Sequence, residues 1–275
     1  AKMTMRTHSG LAAIEAMFSE ARLQERAAFL PYYPIGYPDY ETSLDAIAGM
    51  AETGVDGIEI GVPFSDPLAD GPVIQAATQI ALQNGITVRR CLEAVSSLRA
   101  RGVKQPMLMM SYLNPLLAYG ADEFVRDAQI AGADGLIVPD LPPEEAALVA
   151  DACQQAGLAL VFFLAPTSSP ERIARVASQA TGFIYVVSVT GVTGARAELP
   201  PDLAAFIERV RAVVDLPLVL GFGISTSAQA RMMNGLVEGF IVGSALVKAG
   251  RDGAEPVKTL AAQLRAAVQT KDKES

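Results

Sequence analysis

The sequence has few of the side chains that most often carry nucleophilic and metal chemistry. Its 275 residues include one histidine, two cysteines and no tryptophan. The histidine, His8, lies near the N-terminus and far from every motif, so a Ser-His-Asp or Cys-His site is not expected. A zinc site with several histidine ligands is excluded for the same reason. Acid–base chemistry is therefore expected from carboxylate, tyrosine, lysine or cysteine side chains.

The sequence also lacks the patterns of secreted and membrane proteins. Cys91 and Cys153 form no C-x-x-C motif and no metal-type spacing, which favours a reducing compartment. The first residues carry no apolar run typical of a signal peptide. No stretch reaches the ~18 consecutive apolar residues of a transmembrane helix. We therefore expect a soluble, cytoplasmic protein without a membrane partner.

Positive charge is scarce as well. The chain has 22 Lys and Arg against 30 Asp and Glu, a net charge of −8, and no basic cluster offsets it. Nucleic acid is therefore not an expected partner. A small phosphorylated ligand stays compatible with this charge, because helix N-termini bind phosphate through backbone N–H groups.

Short apolar runs alternate with alanine-rich segments along the chain, which is typical of parallel βα units. Eight such runs are present, the number that closes a parallel barrel. We predict strands near 27–33, 56–61, 106–112, 134–139, 158–165, 182–188, 217–222 and 238–242, and helices over 41–53, 73–101, 122–132, 143–156, 170–179, 201–213, 226–234 and 254–269. An extra helix is expected over 10–25, before the first strand.

The predicted fold is a single (β/α)₈ TIM-barrel domain over 1–275, with the barrel proper at about 27–270. A doubly wound open sheet shares the same alternation and is the alternative. A nucleotide-binding sheet of that kind carries G-x-G-x-x-G after its first strand, where this chain has PIGYPD. The GFGIST segment at 221–226 follows the seventh run and lacks the third glycine, so the barrel is favoured.

Glu59 is the first candidate catalytic residue. Side chains alternate along a strand, so Glu59 points opposite to Ile58 and Ile60 and faces the barrel interior if they pack against helices. Burial of a carboxyl group raises its pKa towards a value useful for a general acid. The alternative is a structural acid paired with a base, yet no Lys or Arg lies late in any predicted strand.

The loop after the second strand, PFSDPLADGP at 63–72, carries two more carboxylates. Its three prolines restrict the backbone, which suits a loop that holds a carboxylate in place. Asp70 is a candidate catalytic residue, and its alternative role is a cap of the next helix. Asp66 is the other carboxylate of this loop, and its alternative role is a turn residue before Pro67.

The last three strands indicate a phosphate site. Glycine-rich turns follow strand seven, at 221–226, and strand eight, at 243–245; these are the usual phosphate positions of this fold, although tight turns alone also use glycine.

Tyr185 on strand six is either a core residue or a residue whose hydroxyl faces the pocket. The segment 190–203 that follows is either a mobile lid or a surface loop. No lysine ends a predicted strand, so a Schiff-base aldolase is not expected.

Together these motifs resemble the tryptophan synthase α subunit family. The resemblance rests on GIEIGVPFSDPLADGPVIQ at 57–75, IYVVSVTGVTGA, GFGIST and VGSALVK, with support from LPYYPIGYPD and NPLLAYG, and it covers about 10–270. It implies retro-aldol cleavage of indole-3-glycerol phosphate to indole and glyceraldehyde 3-phosphate, with no cofactor and no metal in this chain.

The resemblance also implies roles for individual residues. Glu59 and Asp70 match the catalytic carboxylates and Tyr185 an active-site tyrosine. Other matched positions are phosphate binding at Gly194, Gly223, Gly243 and Ser244, the lid at Thr193, and the indole pocket at Tyr32, Met110 and Phe222. Tyr32 and Met110 replace the Phe and Leu of some members.

The family further implies a partner, a pyridoxal-phosphate β subunit in an αββα heterotetramer. We expect it to dock on the loop with Asp66 and Pro67 and on the PDLPPEE loop at 139–145, which we expect to expose prolines and acids. The alternatives are a free-standing indole-3-glycerol phosphate lyase, an isomerase barrel of the same pathway, and a non-catalytic partner-binding chain.

Overall fold

The computed structural model describes residues 8–187, 201–221 and 223–269. Within these residues, eight parallel strands pair in sequence order, and the last pairs with the first to close a barrel. The strands are β1 Ala28–Pro34, β2 Ile58–Gly61, β3 Met107–Met110, β4 Gly135–Ile137, β5 Ala159–Leu164, β6 Ile184–Val187, β7 Leu218–Gly221 and β8 Gly239–Val242. The predicted (β/α)₈ barrel is confirmed, and the open sheet is wrong.

Helices surround the barrel: α1 precedes β1, α2 to α10 lie between consecutive strands, and α11 and α12 follow β8. They are α1 Leu11–Leu23, α2 Tyr40–Glu52, α3 Pro72–Gln83, α4 Val88–Ala100, α5 Leu113–Tyr119, α6 Ala121–Ala131, α7 Ala150–Ala156, α8 Pro170–Gln179, α9 Pro201–Arg211, α10 Ser227–Arg231, α11 Ser244–Ala249 and α12 Ala254–Gln269. Two 3₁₀ helices, Pro143–Leu148 and Gly250–Asp252, complete the order. In the described ranges, no helix combines the length and apolar character needed to cross a bilayer.

The extra N-terminal helix is present and covers the N-terminal end of the barrel. The N–H of Gly10 donates to Asp134 Oδ1 at 2.7 Å, and the N–H of Leu11 donates to Gly157 O at 2.8 Å. Met17 reaches so close to the base of β2 that a methyl group on Gly57 would lie 2.8 Å from its sulfur. Because α1 covers this end, the strands' carboxyl ends form the accessible mouth.

The predicted continuous helix over 73–101 is wrong. The chain forms α3 and α4 instead, separated by Asn84–Thr87, where Gly85 has φ of 76°. A left-handed glycine ends the first helix, and the Thr87 side chain accepts the N–H of Arg90 to cap the second. The segment 143–156 is likewise divided, into a 3₁₀ turn and α7, and the short helices α5 and α11 were not predicted.

Strand register places the site residues on one face. In parallel pairing, Tyr32 of β1 lies beside Glu59 of β2, and Gly61 lies beside Met110 of β3. Glu59 and Gly61 are two residues apart and therefore share a face. Ile58 and Ile60, the two neighbours of Glu59, point to the opposite face and are fully buried there under the helices, so the face of Glu59 is the barrel interior.

Candidate active site at the mouth of the barrel

Glu59 is completely buried in the barrel interior. Neither of its carboxyl oxygens has a hydrogen-bond partner among the described residues. Burial raises the pKa of Glu59 well above its usual value, and the nearby Asp70 raises it further. A structural acid of this burial would have a base or several N–H donors around it. The surroundings therefore favour the neutral form of this carboxyl group, the form that a proton donor needs.

Asp70 lies in the loop after β2 and is held by a tyrosine from the loop after β3. The hydroxyl of Tyr112 donates to Asp70 Oδ2 at 3.0 Å and accepts the N–H of Ala69 at 2.9 Å. The Tyr112 ring also packs against Phe64, with ring centroids 5.4 Å apart. Tyr112 thus contacts three residues of this loop, Phe64, Ala69 and Asp70, and holds the Asp70 carboxylate in place.

The alternative role of Asp70 as a helix cap does not hold. The residue before α3 is Gly71, and no side chain makes a capping hydrogen bond there. Burial raises the pKa of Asp70 to about 6, and the hydrogen bond from Tyr112 opposes that rise. Asp70 is therefore mostly ionised at neutral pH, whereas burial favours the neutral form of Glu59.

Two tyrosines line the interior in the same way, each leaning over a glycine of the next strand. Tyr32 of β1 pairs with Glu59 and leans over Gly61, where a methyl group would lie 2.3 Å from the tyrosine hydroxyl oxygen. Tyr185 of β6 pairs with Val219 and leans over Gly221, where a methyl group would lie 2.2 Å from its ring. In both cases the glycine is two residues beyond the paired residue, so the tilt of the strands makes the contact.

Tyr185 is part of the buried core and also lies within electrostatic reach of both carboxylates. Its ring stacks on Phe163 at 4.5 Å, with 24° between the planes. Burial raises its pKa well above the usual value, and Glu59, Asp70 and Tyr32 raise it further in that order. Two tyrosines and two carboxylates therefore lie within electrostatic reach of one another.

Sequence reasoning missed Tyr112, Gly61 and Gly221. The contact of Tyr112 with Asp70 joins residues 42 positions apart in different loops, so spacing alone does not reveal it. The glycines carried a usable signal, because glycine inside a strand marks the close approach of another group. Reading Gly61 and Gly221 in that way would have predicted bulky neighbours at both places.

The expected phosphate-binding positions are partly described. Gly243 precedes α11, and Ser244 is the first residue of that helix. A methyl group on Gly243 would lie 3.3 Å from both Tyr32 and Ile74, so this turn borders the same cavity as the tyrosine. Gly223 is exposed, with φ of 28° and open space around its Cα. Gly194, Thr193 and Phe222 lie outside the described residues.

Met110 and the loop residues differ in their exposure to solvent. Met110 is half-buried on the interior face beside Gly61. Asp66 is exposed and Pro67 half-buried, and the adjacent Leu68 is 91% exposed. A groove of about 390 Å³ runs along this loop, lined by Phe64, Ser65, Pro67, Pro72, Gln75, Ala76 and Gln79.

The loop at 139–145 exposes its acids but not all of its prolines. Its acids are exposed, but Pro143 is buried, so the expectation of exposed prolines is wrong there. Glu144 forms ion pairs with Arg172, at 3.0 Å, and Arg175, at 2.5 Å. These ion pairs join the 3₁₀ helix Pro143–Leu148 to α8. In the same loop, Asp140 accepts the N–H of Leu113.

Comparison with known proteins gives one consistent family. A family model described as tryptophan synthase alpha chain matches residues 18–275. The tryptophan synthase alpha chain of Roseiflexus sp. (strain RS-1) is 51% identical over 234 residues, which are 85% of this chain and 90% of that protein. The tryptophan synthase alpha chain of Gluconacetobacter diazotrophicus is 45% identical over 261 residues, 92% of this chain and 95% of that protein.

Solved structures give the same result. A chain of Mycobacterium tuberculosis tryptophan synthase superimposes with a TM-score of 0.88 at 40% identity, covering 96% of this chain and 100% of that one. The tryptophan synthase alpha chain of Legionella pneumophila superimposes with a TM-score of 0.86 at 32% identity, covering 98% of this chain and all of that one.

Proposed function

The chain belongs to the tryptophan synthase alpha chain family, and we propose that the mouth of its barrel, around Glu59 and Asp70, is where the reaction takes place. The protein is a carbon–carbon lyase of tryptophan biosynthesis that cleaves indole-3-glycerol phosphate to indole and glyceraldehyde 3-phosphate. The observation that carries the site assignment is a completely buried Glu59, without a hydrogen-bond partner among the described residues, within electrostatic reach of the second carboxylate, Asp70.

Glu59 supplies the proton that starts the cleavage. Neutral Glu59 protonates C3 of the indole ring, which turns the ring into a leaving group. The carboxylate that remains takes the proton of the side-chain hydroxyl as the carbon–carbon bond breaks and the aldehyde forms. One group can do both because its burial makes it weakly acidic and, once ionised, strongly basic.

Asp70 stabilises the charge that develops on the ring. As C3 gains its proton, positive charge develops at the ring nitrogen, and an ionised carboxylate that accepts the ring N–H stabilises that charge. The hydrogen bond from Tyr112 supports this role, because it favours the ionised form and fixes the carboxylate in place. The two carboxyl groups thus differ in protonation because their surroundings differ.

The phosphate group is bound at the turns after β7 and β8. Backbone N–H groups of Gly223, Gly243 and Ser244, with Gly194 from the segment after β6, suit a dianion in a chain of net charge −8. Gly243 borders Tyr32, so a ligand bound there has its ring next to Tyr32 and Met110. Apolar and aromatic side chains at those two positions suit a flat ring, and Phe222 and the Thr193 lid complete this assignment.

The partner is a tryptophan synthase β subunit, which carries pyridoxal phosphate and consumes the indole. We assign the docking surface to the loop with Asp66 and Pro67 and to the groove beside it, in an αββα assembly. The support is Leu68, whose large apolar side chain is exposed on this loop next to the groove. Because Asp70 lies on the same loop, contact there also alters the catalytic carboxylate.

The catalytic assignment is tested by two isosteric substitutions. Glu59→Gln and Asp70→Asn each lower indole release by about 10²-fold or more, the scale of a lost acid–base group. Far-ultraviolet circular dichroism checks that both variants fold, and Asp66→Asn, on the same loop but exposed, is the control. Retention of a third of the wild-type rate by either variant would refute the role assigned to that residue.

The partner assignment is tested by mixing with a tryptophan synthase β subunit. We expect at least a tenfold rise in cleavage rate, and Leu68→Ala, Asp66→Ala or Pro67→Ala blunts that rise without changing the basal rate. Ile130→Ala, which removes another exposed apolar side chain on α6, is the control. If gel filtration and calorimetry detect no complex at micromolar concentrations while indole release continues, the chain is a free-standing lyase.

A further inference from the structure

Tyr32 carries a hydroxyl group that the cleavage scheme above does not use. Its ring lies on the interior face of β1, beside Glu59 on the adjacent strand. Its hydroxyl oxygen lies against Gly61, where a methyl group would come within 2.3 Å of it. Phenylalanine would supply the same apolar ring for an indole pocket, so the hydroxyl calls for its own explanation.

The position of this hydroxyl relative to Glu59 follows from the strand geometry. Gly61 is two residues beyond Glu59 on the same face, or about 7 Å nearer the mouth of the barrel. The hydroxyl over Gly61 therefore lies on the mouth side of Glu59, on the same face of β2 and towards the loop that carries Asp70. Burial raises the pKa of Tyr32 well above its usual value, and Asp70 and then Glu59 raise it further, which agrees with a position between the two carboxylates.

The two carboxyl groups, Asp70 and Glu59, differ in the hydrogen bonds that they accept. Asp70 accepts a hydrogen bond from Tyr112 at 3.0 Å, whereas Glu59 accepts none from any described residue. Glu59 becomes an ion halfway through the reaction, after it has protonated C3. A buried carboxylate without a donor is strongly disfavoured, so a neighbouring O–H group would matter most at that stage.

We propose that Tyr32 is a positioning residue of the active site, whose hydroxyl donates a hydrogen bond to the Glu59 carboxylate once Glu59 has given up its proton. This inference rests on the proposed function and adds to it a third polar group. It makes Glu59 a stronger acid than its burial alone would allow. The Tyr32 ring keeps its separate task of packing over Gly61 and beside Gly243.

Other titratable groups face Tyr32 and Glu59 from several elements of the barrel. Those that act on Tyr32 are Asp70 in the loop after β2, Glu59 on β2, Tyr112 after β3 and Cys91 on α4. Tyr185 on β6 lies within reach of Glu59 from the other side. None of the groups named here as acting on Tyr32 or Glu59 is a cation, and among them the tyrosine hydroxyls are neutral hydrogen-bond donors.

The test is Tyr32→Phe, which removes the hydroxyl and keeps the ring. Indole release from indole-3-glycerol phosphate is measured from pH 5 to pH 10 for the full chain. We expect kcat to fall about tenfold, as for the loss of one hydrogen bond to a charged group, while KM stays within about twofold. Activity requires protonated Glu59, so it falls as pH rises through the pKa of that group. Loss of the donor raises this pKa, and the alkaline fall of kcat therefore moves up by about one pH unit.

Tyr33→Phe is the matched control. It removes a buried hydroxyl from the next residue of the same strand, on the outer face, where the oxygen lies against Gly250. We expect its pH profile to match the wild type. A second readout is the infrared C=O stretch of protonated Glu59, identified by its loss in Glu59→Gln, which should titrate at higher pH in Tyr32→Phe than in the wild type.

The outcomes separate the two proposals. If the wild type releases no indole with or without a β subunit, the proposed site is wrong. If the wild type is active and Tyr32→Phe keeps both its kcat and its alkaline limb, the hydroxyl has no such role. A shift of the acid limb in place of the alkaline limb would show that the hydroxyl serves Asp70, and would also overturn the inference.

Discussion

Tyr112→Phe removes the one hydroxyl that contacts Asp70 in the described structure and gives the sharpest test of how that carboxylate is kept ionised. The hydroxyl donates to Asp70 at 3.0 Å and accepts the N–H of Ala69 at 2.9 Å. The ring against Phe64 stays in place in the variant. The change therefore acts on the charge of Asp70 and on the hold of one loop, not on the packing of the barrel.

The expected size of the effect of Tyr112→Phe follows from the pKa of Asp70. A hydrogen bond to a charged group contributes roughly 1.5 kcal/mol or more, about one pKa unit. Burial raises the pKa of Asp70 to about 6 despite this bond, so the variant is expected near about 7. At pH 7 the ionised fraction falls from about nine-tenths to about one-half, whereas at pH 8.5 it stays close to complete in both proteins.

The assay is the pH dependence of kcat/KM for indole release, which reports groups of the free enzyme. We expect the acid limb to move from near pH 6 to near pH 7 in Tyr112→Phe, with most of the loss recovered at high pH. Tyr119→Phe is the control, because Tyr119 donates to Asp127 at 2.7 Å, at a distance from the site. An acid limb that stays fixed in Tyr112→Phe would refute the argument, and a loss equal at all pH values would show that only loop position matters.

The remaining predictions use the same geometry. Gly221→Ala forces the Tyr185 ring aside and lowers kcat/KM at least tenfold, with a crystal structure to check the displaced ring. Gly243→Val crowds Tyr32 and the phosphate turn and raises KM for the phosphorylated substrate more than it lowers kcat; an unchanged KM would count against the phosphate assignment. Asp70→Asn is expected to stabilise the fold by about 1–2 kcal/mol at pH 8 and to leave stability unchanged at pH 3, as measured by urea unfolding. The reason is that the pKa of Asp70 is raised from 3.8 to about 6 in the folded protein, so ionisation of Asp70 at higher pH destabilises the fold.

The barrel itself could be predicted because its signal is local and repeated. Eight apolar runs separated by helical segments allow few architectures, and the burial of Glu59 follows from the two-residue period of β2. The break between α3 and α4 was missed because the helix prediction over 73–101 did not consider Asn84 and Gly85. Gly85 at φ of 76° ends the first helix, since the left-handed region is open to glycine.

The chemistry of the site was less predictable, since it depends on contacts across loops and strands. The hydrogen bond between Tyr112 and Asp70 requires two loops to meet above adjacent strands, β2 and β3. The fit of Tyr185 over Gly221 requires the stagger of the closed barrel, which sequence spacing does not give. Residue types at strand ends locate a site, whereas its protonation states come from packing.

The protonation of Glu59 shows why the site is built inside the barrel and not on its rim. A carboxyl group on the rim would keep a pKa near its usual value and would be ionised, with no proton to give at neutral pH. Burial on β2 makes Glu59 neutral, but a group that is merely buried would also be reluctant to release its proton. The site therefore has to lower the free-energy cost of ionising Glu59 while Glu59 stays buried. Asp70 does not lower this cost, because its negative charge raises the pKa of Glu59 further. A neutral hydroxyl group that donates a hydrogen bond lowers it, and the hydroxyl of Tyr32 lies over Gly61, on the strand that carries Glu59.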